Sequence, residues 1–297
     1  MKYKILALSV VGAILGGCGS DNNNSVPPEQ AYRNIMAFDP AVMGMKGTYS
    51  CDNGATGSLE ETNYHGVSEV TDLTVLNYPE TCTFTYNATP GAKDVSNGKD
   101  MSKVSYKFPK GLANYDDLVT SSPISTLIEK ELDGAAYNEA TGIQVLKDLG
   151  LDSLLNNGSV SSVADFLRRT DEVIKTLPAS EASLVSATAA VLSDVLVVSP
   201  TATASELAAA TESITQEVIT TYPDYPEAPG GGEIYLDLKE DSKLIEDAVK
   251  DPTNVGTLPP PKDSEPVPDP DGGTPPPTGG TGGTGGTGGT GPTGPGD

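Results

Sequence analysis

The chain has 297 residues, of which 36% are hydrophobic and 5% aromatic, with 33 Gly, 24 Pro and no Trp. A domain that occupied the whole length would be about 45–50% apolar. We therefore expect a folded centre of roughly 180 residues, within the usual range of one domain. The formal net charge is −23, which argues against nucleic acid and anionic lipid head groups as electrostatic partners.

The N-terminus has the pattern of an export signal. Lys2 and Lys4 form a short basic region, followed by an apolar run over residues 5–15. This run is too short for a permanent membrane span of about 20 residues. The tetrapeptide LGGC at residues 15–18 then resembles a lipobox, the cleavage signature of bacterial lipoproteins.

The lipoprotein resemblance implies that residues 1–17 are a signal peptide and that the thiol of Cys18 receives a diacylglyceryl group. The new amino group is usually acylated as well, and two or more acyl chains anchor a protein stably to a bilayer. In these proteins an Asp after the lipidated Cys directs retention at the inner membrane. Gly19 stands there instead, so the outer membrane is expected. The alternative is an ordinary signal peptide cleaved nearby, with Cys18 left as a free thiol.

After the anchor, residues 18–39 are predicted to be a flexible tether, because residues 19–30 (GSDNNNSVPPEQ) are polar and lack an apolar period. The two remaining cysteines, Cys51 and Cys82, are predicted to form a structural disulfide in an oxidising compartment. A metal site would need further thiol or imidazole ligands, and a redox pair usually has the CxxC spacing.

A β module is predicted for residues 40–110. Alternating Thr and aromatic residues indicate half-buried strands over 46–51 and 81–86. The turn signal Asp52-Asn53-Gly54 follows the first of these strands. Further strands are expected over 70–76 and 102–108, which together predict a small antiparallel sheet or sandwich.

A helical region is predicted for residues 111–225. The apolar period changes to 3.6 from Ser121, which indicates a cluster of four or five short helices over 121–222. Ser122 with Pro123 is the signature of a helix start. The expected helices cover residues 124–132, 139–149, 162–177, about 184–195 and 203–222. Since they are short and rich in Ala, Ser and Thr, we expect them to pack on the sheet. The fold class is thus α+β.

The segment PISTLI at residues 123–128 is similar to a Pro-Leu-Thr-Thr-Leu segment that begins helical units in large bacterial surface and adhesin-like proteins. Ile124 and Ser125 depart from that pattern. The upstream CDNG at 51–54 and Thr56-Gly57 agree with the same kind of module. The resemblance implies a function at the cell surface.

Residues 226–250 are predicted to be a linker with a marginal strand and a marginal helix. Residues 251–297 are predicted to be a disordered tail rich in Pro, Gly and Thr, extended in a polyproline manner over 259–277. Gly stands at every third position over 279–295. This period also fits a collagen-like stalk, but Gly in the X position of most triplets raises the entropy that ordering would remove.

Residues for chemistry are scarce. The single His, His65, lies in a turn-like segment, so nucleophilic triads and zinc sites are not indicated. Asp269-Pro270-Asp271-Gly272 has the start of a calcium loop without its later ligands, and no phosphate or dinucleotide motif is present in the sequence. We predict no cofactor, no metal and no catalytic residue.

The sequence therefore predicts a non-enzymatic lipoprotein of the outer membrane with a structural or adhesive role. It is bound to the bilayer through Cys18, and its candidate partners are an envelope or surface protein, or a glycan. Two alternatives stay open: a periplasmic accessory subunit of an envelope complex, and a hydrolase that uses a carboxylate pair.

Overall fold

The computed structural model describes residues 31–115, 117–270 and 272, and these residues form the predicted α+β fold. The expected signal peptide, the lipidation site and the glycine-rich repeats lie outside the described residues. The strands are β1 (Arg33–Ala37), β2 (Val42–Met43), β3 (Lys46–Cys51), β4 (Thr56–Leu59), β5 (Val67–Val70), β6 (Cys82–Asn87), β7 (Lys93–Asp94), β8 (Tyr106–Phe108), β9 (Val119–Ser121), β10 (Ile234–Tyr235) and β11 (Lys262–Asp263).

The helices lie mainly in the second half of the described chain. They are α1 (Leu73–Asn77), α2 (Pro123–Leu132), α3 (Glu139–Asp148), α4 (Ser153–Asn156), α5 (Val163–Arg168), α6 (Thr170–Thr176), α7 (Ala179–Val198), α8 (Ala204–Thr221) and α9 (Ser242–Lys250). Short 3-10 turns cover Pro79–Thr81 and Leu238–Glu240.

The largest sheet is antiparallel, with the order β4-β3-β6-β8. Every second residue of β3 is buried, which is the alternation expected of a half-buried strand. The turn after Cys51 joins β3 to β4, and in the pairing of β3 with β6 Cys51 lies opposite Cys82. The predicted strands over 46–51 and 81–86 and the hairpin turn are confirmed, except that Thr81 belongs to the preceding 3-10 turn.

A second sheet has the strand order β5-β1-β9. Its central strand β1 pairs antiparallel with β5 and parallel with β9, so residues far apart in sequence lie side by side. The prediction of a flexible tether up to residue 39 is wrong for residues 33–39, because 33–37 form β1, and Phe38 and Asp39 are buried. The strand is anchored because Ile35 and Ala37 are fully buried in the core.

Two predicted strands differ from the structure. The segment 70–76 ends β5 and then enters α1, because the Asp72 carboxylate accepts hydrogen bonds from the amides of Thr74 and Val75 and caps a helix. In the segment 102–108, only Tyr106–Phe108 form a strand, which is β8. The amide of Val104 donates to the carbonyl of Met101 and closes a turn before this strand.

The caps define the helices much as the sequence predicts. Ser122 and Ser125 form a reciprocal capping box before α2, and Thr203 and Glu206 form another before α8. The Ser162 side chain accepts from the Asp165 amide at the start of α5. The expected single helix over 162–177 is, however, two helices that meet at Arg169, whose backbone is non-helical (φ −125°, ψ 40°).

One continuous hydrophobic core is shared by the sheets and the helices, as the thin helical cluster required. Its centre contains the aromatic side chains of β6 and β8 and the apolar faces of α2, α7 and α8. Among the described residues, α7 alone has the length and apolar composition of a membrane span. About 61% of that stretch is buried inside the domain, and Thr188, Ser193 and Asp194 are among its buried residues, so it is built as the central helix of the core.

The C-terminal described segment lies along the domain. β11 pairs with β10, and the amides of Glu265 and Val267 donate to the carbonyls of Asn97 and Val95. At Gly98 (φ +78°) a Cβ would lie 2.6 Å from the carbonyl oxygen of Glu265, so a glycine is needed for this close approach. The predicted disorder therefore does not extend to residues 262–267. This segment has little apolar content, and backbone hydrogen bonds hold it on the domain.

Candidate functional site

The disulfide predicted from sequence is present and buried. Cys51 and Cys82 are joined with an S–S distance of 1.99 Å, and their residues are 6% and 0% exposed. The bond links the central strands of the largest sheet at the end where β3 turns into β4. Its location inside the core makes it a structural bond, out of reach of a redox partner.

Reduction of this disulfide is expected to lower the free energy of unfolding by about 3–4 kcal/mol, because the unfolded chain regains the entropy of a loop of roughly 30 residues. Urea denaturation of the Cys51→Ala/Cys82→Ala double variant, compared with the oxidised wild type, measures this difference. The wild type under strong reductant is the control and should match the variant. A difference under about 1 kcal/mol would contradict the structural role.

The other residues singled out in the sequence do not come together into a site. Cys18 lies outside the described residues. His65 is exposed in a turn, with its backbone amide bonded to the Asn63 side chain and its ring edge-on to Tyr64. Within the described part of the chain, no group of three or more His, Cys, Asp or Glu residues is placed to hold a metal ion.

A buried ion pair, which the sequence did not reveal, joins the segment after β7 to the central helix α7. The Lys99 ammonium, in the turn after β7, donates to the Asp194 carboxylate of α7 at 2.9 Å, and their side chains are 4% and 0% exposed. The amide of Leu238 donates to the same carboxylate oxygen at 2.7 Å. Burial disfavours the charged form of Lys99 and by itself would lower its pKa. The carboxylates of Asp194 and Asp39 have the larger combined effect and raise the pKa of Lys99 above its ordinary value.

The ion pair continues outward as a network. Lys239 lies 3.9 Å from the second oxygen of Asp194 and pairs with Asp237, which in turn pairs with Lys262 at 3.1 Å. Lys262 also contacts the exposed carboxylate of Glu240 at 2.9 Å. Charges of alternating sign thus connect the core helix α7 to the edge strand β11. The network fixes the C-terminal segment on the domain.

Two further carboxyl groups face this ion pair. Asp39 accepts a hydrogen bond of 2.7 Å from the Tyr106 phenol, which also lies 3.1 Å from the Ser193 hydroxyl. Burial raises the pKa of Asp39 to about 7, although Lys99, Tyr106 and Ser193 work in the opposite direction. Burial likewise raises the pKa of Asp94 to about 6, against hydrogen bonds from Ser96 and Asn97.

A cavity of about 40 Å³ adjoins these groups, bounded by Asp39, Asp94 and Lys99 on its polar side and by Ile174 and Ala189 on its apolar side. It has room for water, but it is far smaller than the several hundred Å³ that a bound organic ligand requires. Perturbed carboxyl groups often mark catalytic sites. Here they have no space for a substrate, which favours a structural role for the cluster.

A different feature lies on the surface. Among the described residues, the large apolar side chains that are most exposed are Leu73 (73%), Tyr115 (68%), Tyr78 (59%) and Tyr32 (49%). Three of them line one open groove of about 480 Å³, and Tyr78 follows Asn77, which also lines it. Single exposed apolar residues are ordinary, but a shared location marks an interaction surface. We call this groove and its rim the tyrosine groove.

Arg33 of β1 holds one wall of the tyrosine groove. Its guanidinium donates to the carbonyls of Asn114, Tyr115 and Asp117 at 2.8–3.1 Å. Its Cζ atom lies 6.0 Å from the centre of the Tyr115 ring. The loop therefore presents the Tyr115 ring to solvent while its backbone is fixed. Tyr32, next to Arg33, stands at the point where the described chain begins.

The sequence predicted neither the buried ion network nor the groove. Asp194 stands three residues after Val191, on a stripe otherwise expected to be buried, and a carboxylate in that position requires a cation. No family model, curated protein or solved structure matches this chain.

Proposed function

We propose that this protein is a lipid-anchored protein of the bacterial outer membrane with a non-enzymatic structural or adhesive role. The observation that carries the proposal is the buried Cys51–Cys82 disulfide. Bonds of this kind persist in oxidising compartments outside the cytoplasm, which is where the lipobox-like LGGC at 15–18 would direct the chain.

The non-enzymatic part of the proposal rests on the arrangement of the polar groups. The buried carboxyl groups of Asp39 and Asp94, whose pKa values burial raises, line a cavity of about 40 Å³, and each accepts hydrogen bonds from neighbouring side chains. Of the open grooves among the described residues, the tyrosine groove is the one lined by the most exposed large apolar side chains, and its chemistry suits contact more than catalysis. A periplasmic accessory subunit is the second candidate, and it would use the same anchor and the same domain.

The anchor is tested by replacing Cys18 with Ala and separating envelope from soluble fractions. We expect the wild type in the envelope with an acylated N-terminus at Cys18 by mass spectrometry, and the variant in the soluble periplasm or retained with its signal uncleaved. Cys51→Ala/Cys82→Ala, which keeps the lipidated residue, is the matched control for loss of a thiol. An unmodified N-terminus in the wild type would refute the lipid anchor.

The two placements are separated by protease treatment of intact cells. Cleavage within the C-terminal segment on whole cells supports surface display and hence adhesion. Protection on whole cells, with cleavage after the outer membrane is permeabilised, supports the periplasmic subunit. The control is the wild-type protein in lysed cells, where cleavage is expected because the protease has free access to its sites.

A further inference from the structure

We infer that the tyrosine groove is a membrane-contact surface, on which the domain rests against a zwitterionic phospholipid bilayer. The inference deepens the proposed function and rests on its lipid anchor at Cys18. Tyr32, Tyr115 and Leu73, which line the groove, have the chemistry of the bilayer interface, where an apolar ring meets the headgroups and a phenol keeps its hydrogen bonds to water.

The chain length outside the described residues supports this occupant. Residues 19–30 join the lipidated position to Ala31, which itself lines the groove. At about 3.6 Å per residue, this connection holds the groove within roughly 45 Å of the bilayer. Confinement to that distance corresponds to an effective concentration on the order of millimolar, so a weak apolar contact is sufficient for binding.

The charge of the chain selects the kind of bilayer. With a net charge of −23, the protein is repelled by anionic head groups. The groove itself offers no free cationic cluster, since the guanidinium of Arg33 is bonded to the carbonyls of the neighbouring loop. Contact must therefore come from burial of apolar surface, and it should not need anionic lipid.

The absence of Trp in the chain allows a clean experiment. Leu73→Trp places a single reporter on the exposed rim of the groove, and Gln216→Trp places one on the exposed face of α8, outside the groove. Each full-length lipidated protein is reconstituted in phosphatidylcholine vesicles that contain brominated phosphatidylcholine as quencher. We expect the reporter at 73 to be quenched at least about twofold more than the reporter at 216.

The second part of the experiment removes the tyrosine rings that are proposed to contact the bilayer. In the Leu73→Trp protein, Tyr32→Ser with Tyr115→Ser should reduce quenching to the level of the Gln216→Trp control. Circular dichroism of each variant checks that the fold is retained. Equal quenching of the two reporters, or quenching that appears after phosphatidylglycerol is added and not before, would overturn the proposed surface.

Other occupants give different results. A groove occupied by a second copy would shield the reporter at 73 in vesicles without quencher, to an extent that rises with protein density, and this outcome overturns the inference. Mass spectrometry of the same samples reports acylation at Cys18. A chain without acylation refutes the anchor, whereas an acylated chain without preferential quenching refutes the membrane contact alone.

Discussion

Replacement of Lys99 by Met is expected to lower the free energy of unfolding by about 3–5 kcal/mol. The substitution keeps most of the side-chain volume but removes the cation that faces Asp194 at 2.9 Å inside the core. Asp39 and Asp94 also lose the positive charge that favours their ionised forms. The ionised Asp194 carboxylate cannot reach water, because its side chain is fully buried.

The measurement is the unfolding free energy from urea denaturation at pH 8. Lys93→Met is the matched control, because Lys93 lies in the neighbouring strand β7 with its side chain exposed, and its replacement should change stability by less than about 0.5 kcal/mol. The double variant Lys99→Met/Asp194→Leu should recover much of the loss, since it removes both charges. Equal stabilities of Lys99→Met and Lys93→Met would show that the buried pair has no role.

Local signals in the sequence predicted the elements whose stability is local. Ser122 before Pro123 and Thr203 before Glu206 place helix starts correctly, because a cap needs partners within three residues. The disulfide was predictable for a related reason. The chain has three cysteines, and once Cys18 is assigned to lipid a single pairing is left.

The errors occur where distant residues decide the structure. Strand β1 looked like part of a tether because its partner β9 stands more than 80 residues away. The pairing of Lys99 with Asp194 spans 95 residues, so neither residue shows its partner in its own neighbourhood. The interrupted helix at Arg169 has a continuous apolar stripe, and the period alone cannot reveal a break in the backbone.

The tyrosine groove was unpredictable for the same reason. Tyr32, Leu73 and Tyr115 come from three separate segments and converge when β1 and the loop before β9 pack together. In the sequence each is an isolated apolar residue without a period. Convergence of this kind depends on tertiary structure, whereas a helical stripe can be recognised from its spacing.

Asp39 is expected to make a contribution to the stability of the domain that falls as the pH rises from about 4 to about 7. Burial raises the pKa of Asp39 from 3.8 in the unfolded chain to about 7 in the fold, with Lys99 and Tyr106 opposing the shift. Between these two values the folded state binds a proton that the unfolded state does not hold. The contribution of Asp39 to stability is therefore largest at low pH and decreases until the pH passes the folded pKa.

Asp39→Asn should remove this contribution, because an amide resembles the protonated acid and can still accept the hydrogen bond from Tyr106. At pH 8 we expect the variant to be more stable than the wild type, by at most about 4 kcal/mol. At pH 4 the two should be equal within about 0.5 kcal/mol. Urea denaturation at a series of pH values gives both numbers. Asp94, whose pKa burial raises to about 6, will still cause a shallower decline below neutrality in the variant.

Asp237→Asn is the control. Asp237 lies in the same network of charges, but its pKa is shifted in the opposite direction from that of Asp39. Burial alone would raise the pKa of Asp237, but the ion pairs with Lys239 and Lys262 outweigh it and lower the pKa below its ordinary value. Its carboxylate therefore stabilises the fold above the unfolded pKa, and that contribution is lost as the pH falls. Asp237→Asn should thus be less stable than the wild type at pH 8. If Asp39→Asn and Asp237→Asn both destabilise the protein at pH 8, the prediction for Asp39 is wrong. The attraction between Lys99 and an ionised Asp39 then outweighs the effect of burial, and Lys99 pairs with both Asp39 and Asp194.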